Sequence, residues 1–157
     1  MIAQNILWMI FITLIPWIEL RGSIPYGVLV GIDPITVFII TVIVNILIFF
    51  PIFFGLTYLY KYVSEWRYTK KITKKVVEKA RKKGKPYIEK YGVIGIAIFI
   101  GIPLPGTGVW MGTLIAWLFG LNWKKGFLAA ALGVLIAGAI IFTIMMSGAT
   151  IINGFSG

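Results

Sequence analysis

Residues 1–18, 34–60, 91–123 and 126–157 carry no charged side chain, and these apolar runs dictate the fold class. A membrane-spanning helix needs about 20 apolar residues; three of the runs are long enough and the first falls just short. The third is too long. As one straight helix it would extend roughly 50 Å, against a hydrocarbon core of about 30 Å. Pro103, Pro105, Gly106 and Gly108 interrupt it, giving half-helices over 93–102 and 109–121.

The first half of the chain follows the same plan. Residues 2–16 are apolar, Pro16 through Pro25 form a break, and a short apolar piece resumes before a long apolar helix over 35–60. The turns that introduce the long helices match: Gly31-Ile32-Asp33 in one half and Gly120-Leu121-Asn122 in the other. Asp33 and Asn122 suit helix N-caps, and Pro34 suits a first helical position. Gly22-Ser23 and Gly112-Thr113 lie at similar distances upstream of these turns. The expected fold is therefore an all-α integral membrane protein, an inverted repeat of re-entrant helical hairpin plus transmembrane helix, joined by a basic cytoplasmic helix. The first repeat is 1–60 (hairpin 2–32, helix 35–60) and the connector is 61–90. The second repeat is 91–157 (hairpin 93–121, helix 126–148). A returning hairpin also brings Lys124 and Lys125 to the side of the connector, as the positive-inside bias prefers. Both termini are then external, and residues 2–18, which lack a basic leader, are expected to be retained.

The composition agrees, at 59% hydrophobic with a mean hydropathy of +0.95. The net charge of +10 could suggest nucleic acid, but its distribution argues otherwise. Most of the basic residues fall between Lys61 and Lys90, bordered by apolar runs on both sides. Such a cluster reads as the cytoplasmic face of a cell-membrane protein, with Lys70, Lys71, Lys74 and Lys75 toward anionic headgroups and no nucleic acid partner. Tyr68, Ile72, Val76 and Ala80 recur at helical spacing there, and Gly84 and Pro86 are expected to end that helix. Neither cysteine nor histidine occurs, which removes disulfides, thiol catalysis and ordinary zinc sites. No catalytic grouping, metal or cofactor is expected.

Candidate chemistry lies at the two breaks. Glu19 and Arg21 sit in otherwise apolar sequence, where each charge costs about 2.5–3.5 kcal/mol and requires a partner or water. At i, i+2 they do not share a helix face, but irregular backbone beside Gly22 would let both enter one cavity. Glu19 can bind a proton or a cation, and Arg21 can hold a phosphate or carboxylate. Ordinary helix-end charges are the alternative reading. Ser23 and Pro25 complete this segment. At the second break, Pro103, Pro105, Gly106 and Gly108 would free N–H groups at a half-helix start, a place that attracts anions. Thr107 adds a hydroxyl and Trp110 an amphipathic wall. Asn45, mid-span, reads as interhelical glue or as a further ligand. Pro51 and Gly55 are expected to bend the first long helix.

WIELRGSIPYGVLVG at 17–31, FIGIPLPGTGVWMG at 99–112 and WKKGF at 123–127 together resemble the DedA superfamily, in particular its small multidrug export branch. That resemblance implies re-entrant hairpins meeting near the midplane and proton-coupled movement of amphiphiles, including isoprenoid phosphate carrier lipids. The chain departs from it in lacking an arginine after Pro105-Gly106: either Arg21 supplies the positive charge from the opposite hairpin, or the substrate is not a phosphate, and for the lipophilic cations that the multidrug label implies Glu19 is the intramembrane counter-charge. The expected function is a transporter or lipid translocase for an anionic carrier lipid or lipophilic drug, with protons as coupling ions and a homodimer as the assembly. A non-transporting scaffold and a passive scramblase are the alternatives.

Overall fold

The computed structural model describes the backbone of residues 2–65, 70–104 and 106–155; side-chain surroundings are described for these except 63–65, 70–74, 76, 77, 80, 83–89 and 149–155. The described residues form helices and connecting turns, with no strand among them. The order is α1 (Ile2–Leu14), α2 (Glu19–Leu29), α3 (Pro34–Leu47), α4 (Phe49–Glu65), α5 (Lys70–Gly101), α6 (Val109–Leu118) and α7 (Trp123–Phe155).

Two stretches, Pro34–Tyr62 and Trp123–Gly148, are long and apolar enough to cross a bilayer, with mean hydropathies of 2.9 and 2.6. A soluble core helix can pass the same test, but it would be mostly buried. Here only 33% and 39% of these windows are buried. The outward faces instead present Ile39, Ile43, Leu47, Leu128, Leu132 and Leu135. Contiguous exposed apolar surface of this kind belongs against lipid, and the chain is a membrane protein. The helices α1 and α6, at 13 and 10 residues, are each too short to cross alone at about 1.5 Å per residue.

The two turns ahead of the long helices are built bond for bond alike. After α2, Gly31 N–H donates to Val28 and Ile32 N–H to Gly27; after α6, Gly120 N–H donates to Trp117 and Leu121 N–H to Ala116. Both are Schellman closures. Each needs a left-handed residue, supplied by Gly31 (φ 82°) and Gly120 (φ 78°). Ile32 and Leu121 then bury themselves beneath the turns. Asp33 accepts the Thr36 N–H at 2.9 Å, and Asn122 accepts the Lys124 N–H at 2.9 Å.

The helices flanking each break pack on one another, α1 on α2 and α5 on α6, while α7 packs along α5 and α3. Met9, Ile24, Val37, Phe49, Ile100, Val109 and Val134 fill the core. Gly133 permits a close approach of α7 to α5. A Cβ there would lie 2.5 Å from Ile100 Cβ and 2.7 Å from the Ala97 carbonyl. The first long helix is interrupted at Ile48, between α3 and α4. Pro51 explains the position: it has no N–H to offer the Leu47 carbonyl, so the ladder fails one turn upstream.

The connector differs from the sequence expectation. Helix α5 does not end at Gly84 and Pro86; it continues into the apolar stretch and redirects at Gly92 (φ 45°, ψ −127°). A helix tolerates proline at some cost, whereas that backbone angle is open chiefly to glycine. Arg81 lies over the Trp117 ring at 5.9 Å, and its side chain runs beside Gly120. The basic connector and Lys124 therefore occupy the same end of the molecule. Tyr68 lies outside the described residues, as do the side-chain surroundings of Lys70, Lys71 and Lys74; Lys75 is exposed.

Candidate functional site

The first break is shorter than the sequence suggests. It spans residues 15–18, and Glu19 already opens α2. Ser23 and Pro25 lie within that helix, so the segment Glu19–Pro25 is helical and not irregular. Pro25 forfeits one backbone hydrogen bond inside α2. The strain sits elsewhere, at Trp17 (φ 72°) and Glu19 (φ 49°). Left-handed backbone at such residues costs roughly 1–3 kcal/mol each and persists only where surrounding structure enforces it. At Glu19 its consequence is directional. The helix starts with a residue out of register, and its carboxylate reaches Arg21 despite the i, i+2 spacing, with Oε2 3.9 Å from Nη1.

The second break runs from Ile102 to Gly108, with Gly106 in the left-handed region (φ 85°). Arg21 closes it from outside. Its Nη2 donates to the Ile102 carbonyl at 3.2 Å and to Thr107 Oγ1 at 3.0 Å. The Thr107 hydroxyl in turn lies 2.6 Å from the Ile102 carbonyl and 2.8 Å from that of Leu104. Arg21 thus ties α2 to the loop between α5 and α6. Pro103 and Gly106 are half-buried in that loop, and Pro105 lies outside the described residues.

Glu19 is 3% exposed, and its carboxylate rests on the N-terminus of α6. Oε1 accepts the Trp110 N–H at 3.3 Å, where unpaired helix donors and the helix dipole favour negative charge. The sequence points to this N-terminus as an anion site; in the folded chain a carboxylate of the chain itself occupies it. Gly108 makes room for the contact, since a Cβ there would overlap the Glu19 carboxyl group. Asn45, fully buried on α3, neighbours the same carboxylate without making a hydrogen bond of normal geometry to it.

Elsewhere the helices satisfy their hydroxyls locally: Thr13, Thr41 and Thr57 each donate to a carbonyl one turn back. Around Glu19 the opposite holds. Arg21 Nε and Nη1, Ser23 Oγ, both amide atoms of Asn45, Trp110 Nε1 and Thr113 Oγ1 are buried without a hydrogen-bond partner among the described residues. A buried polar group without a partner costs about 1–3 kcal/mol. All of these groups lie on α2, α3 or α6, the elements that meet at Glu19.

The structure therefore brings Glu19, Arg21, Asn45, Thr107, Gly108 and Trp110 together. Ser23 is buried on α2, whereas Pro25 makes no polar contact and acts through the helix it weakens. Sequence reasoning missed the Ile102 carbonyl and the Thr113 hydroxyl. The carbonyl leaves no signal in a sequence, and Thr113 stood out only through its spacing from the turn. No group of metal-binding side chains occurs among the described residues.

A family model described as "Putative small multi-drug export protein" matches residues 19–140. The match opens at Glu19, just after the first break, and spans the second break, both matched turns and the connector. No curated protein and no solved structure matches the chain.

Proposed function

This chain belongs to the small multi-drug export family, and on that premise we propose that it is a membrane transporter or lipid translocase for an amphiphile. Glu19 takes up and releases the coupling proton, and Arg21 holds the second break while offering positive charge to an anionic head. The observation that carries this reading is the Glu19 carboxylate, buried at the junction of two broken helices and held by one long backbone hydrogen bond and a guanidinium at 3.9 Å. An ionisable group within the membrane is expensive, and such groups mark substrate or proton paths.

The two breaks are re-entrant hairpins of an inverted repeat in this reading. Broken helices in corresponding places are the sequence pointer to a binding site between repeats. Aligning the matched turns, Gly31 on Gly120 and Asp33 on Asn122, brings Glu19 onto Gly108. Those two residues lie against each other. Contact between equivalent positions is what a pseudo-two-fold axis through the site requires. The basic connector faces the cytoplasm, its lysines meet anionic headgroups, and two copies of the chain form the working unit. The isoprenoid phosphate class of carrier lipid fits the anionic head assigned to Arg21, and the resemblance to the DedA superfamily points the same way.

Substrate-dependent flux in proteoliposomes under an imposed pH gradient tests the proposal. Wild-type flux should follow the gradient, and Glu19→Gln should abolish that dependence. Unchanged rate and pH dependence in Glu19→Gln would remove the coupling role. Lipid movement indifferent to the gradient in the wild type would mark a passive scramblase, and no movement at all a scaffold.

A further inference from the structure

An apolar groove of about 350 Å³ lies beside the site, lined by Leu14 at the end of α1, by Ile48, Pro51, Gly55 and Leu59 along the α4 side, and by Trp110 of α6. Gly55 lines it beside free space, since a Cβ there would meet nothing within 4 Å among the described residues. Between Ile48 and Leu59 the groove follows the helix for about 16 Å at 1.5 Å per residue. Trp110 is also the residue whose backbone N–H bonds Glu19 and whose indole Nε1 is buried without a hydrogen-bond partner among the described residues.

Within a bilayer, no hydrophobic force draws an apolar chain from lipid into an apolar groove. What selects an occupant is the polar group at its other end. Arg21 does not line the groove, but Glu19 links it to Trp110, which does. The Arg21 Nε and Nη1 have no hydrogen-bond partner among the described residues, and Glu19, which Arg21 faces, is the residue that Trp110 binds.

We infer that this groove seats one hydrocarbon chain of an amphiphile whose anionic head lies at Arg21 and the Trp110 indole. The inference rests on the transport reading, with its anionic head at Arg21, and adds to it the position of the tail. Pro51 and Gly55 acquire a role in it: the ladder break and the missing side chain shape the concavity on an otherwise regular membrane helix.

The test is photo-crosslinking of the full chain in phosphatidylcholine vesicles, using an alkyl phosphate with a diazirine near the tail end. Alcohol-headed and trimethylammonium-headed analogues of the same tail serve as comparators. The expected result is adducts concentrated between Ile48 and Leu59, strongest for the phosphate. Gly55→Leu should lower them roughly tenfold, the effect of one overpacked side chain. Gly55→Ala, a substitution that favours the helix, should lower them less and guards against a folding artefact. Adducts spread over all lipid-facing helices would overturn the groove, and equal labelling by the cationic analogue would overturn the assigned head. The readout is binding and not flux. Groove adducts in a protein that moves no substrate would therefore sink the transport reading alone.

Discussion

Replacing Gly108 with alanine would perturb one contact and little else. The Gly108 backbone (φ −76°, ψ −165°) is extended and open to any residue, so the new methyl brings no conformational strain. It would, however, occupy the place of the Glu19 carboxyl group. That group ends a flexible side chain and can swing away, so the cost is the loss of its seat. A hydrogen bond to a charged acceptor contributes about 1.5–3 kcal/mol. A carboxylate at a helix N-terminus adds about 0.3–1 kcal/mol. The Trp110 N–H bond is long at 3.3 Å, which favours the low end of both ranges, about 2 kcal/mol in all. Reversible unfolding in mixed micelles, run as a double-mutant cycle with Glu19→Ala, isolates this quantity. Gly108→Ala should cost about 2 kcal/mol with Glu19 present and almost nothing with alanine at 19. Equal cost in both backgrounds would refute the seating of Glu19 on α6.

Three further expectations rest on separate features. Gly133→Ala should destabilise by about 1–3 kcal/mol through overpacking against Ile100 and the Ala97 carbonyl, whereas Gly148→Ala, which meets nothing within 4 Å, should be neutral or gain up to about 1 kcal/mol; thermal unfolding of the pair checks this. Gly31→Ala should cost about 1–2 kcal/mol from backbone alone, because its φ is 82° and no neighbour crowds a Cβ, and a stability equal to wild type would argue against the turn. The Asp33 carboxyl lies outside the spans and is held below its usual range by the Thr36 backbone N–H, then by the Thr36 hydroxyl. Its contribution is therefore complete above the ordinary aspartate range and is lost as pH falls through the lowered folded value. Asp33→Asn, which can still cap, should flatten that acid limb of the stability curve.

What the sequence makes legible here is what short-range chemistry controls. The glycine-turn-cap units at 31–33 and 120–122 follow from the needs of a helix end, and the break at 103–108 from prolines that cannot continue a ladder. Long-range placement is different. Glu19 meets Trp110 across 91 residues, and no local pattern encodes that meeting. Helix α5 carries past Gly84 and Pro86, and the redirection falls to Gly92, where the basic stretch gives way to the apolar one. The left-handed backbone at Trp17 and Glu19 lies where no glycine signals it, so the true extent of the first break was hidden. Asn45 stood out only as a polar residue in an apolar span; its place beside Glu19 emerges once α3 packs on α2.

The proposed transport path requires two hairpins of opposite orientation, which would set the connector and the start of α7 on one face of the membrane. Because the chain has no cysteine, Lys79→Cys and Lys124→Cys each create a single target for an impermeant thiol reagent. In sealed vesicles of known orientation, both variants should be labelled from the cytoplasmic face and neither from the outside. Labelling of the two from opposite faces would contradict the arrangement on which the proposed transport path is built.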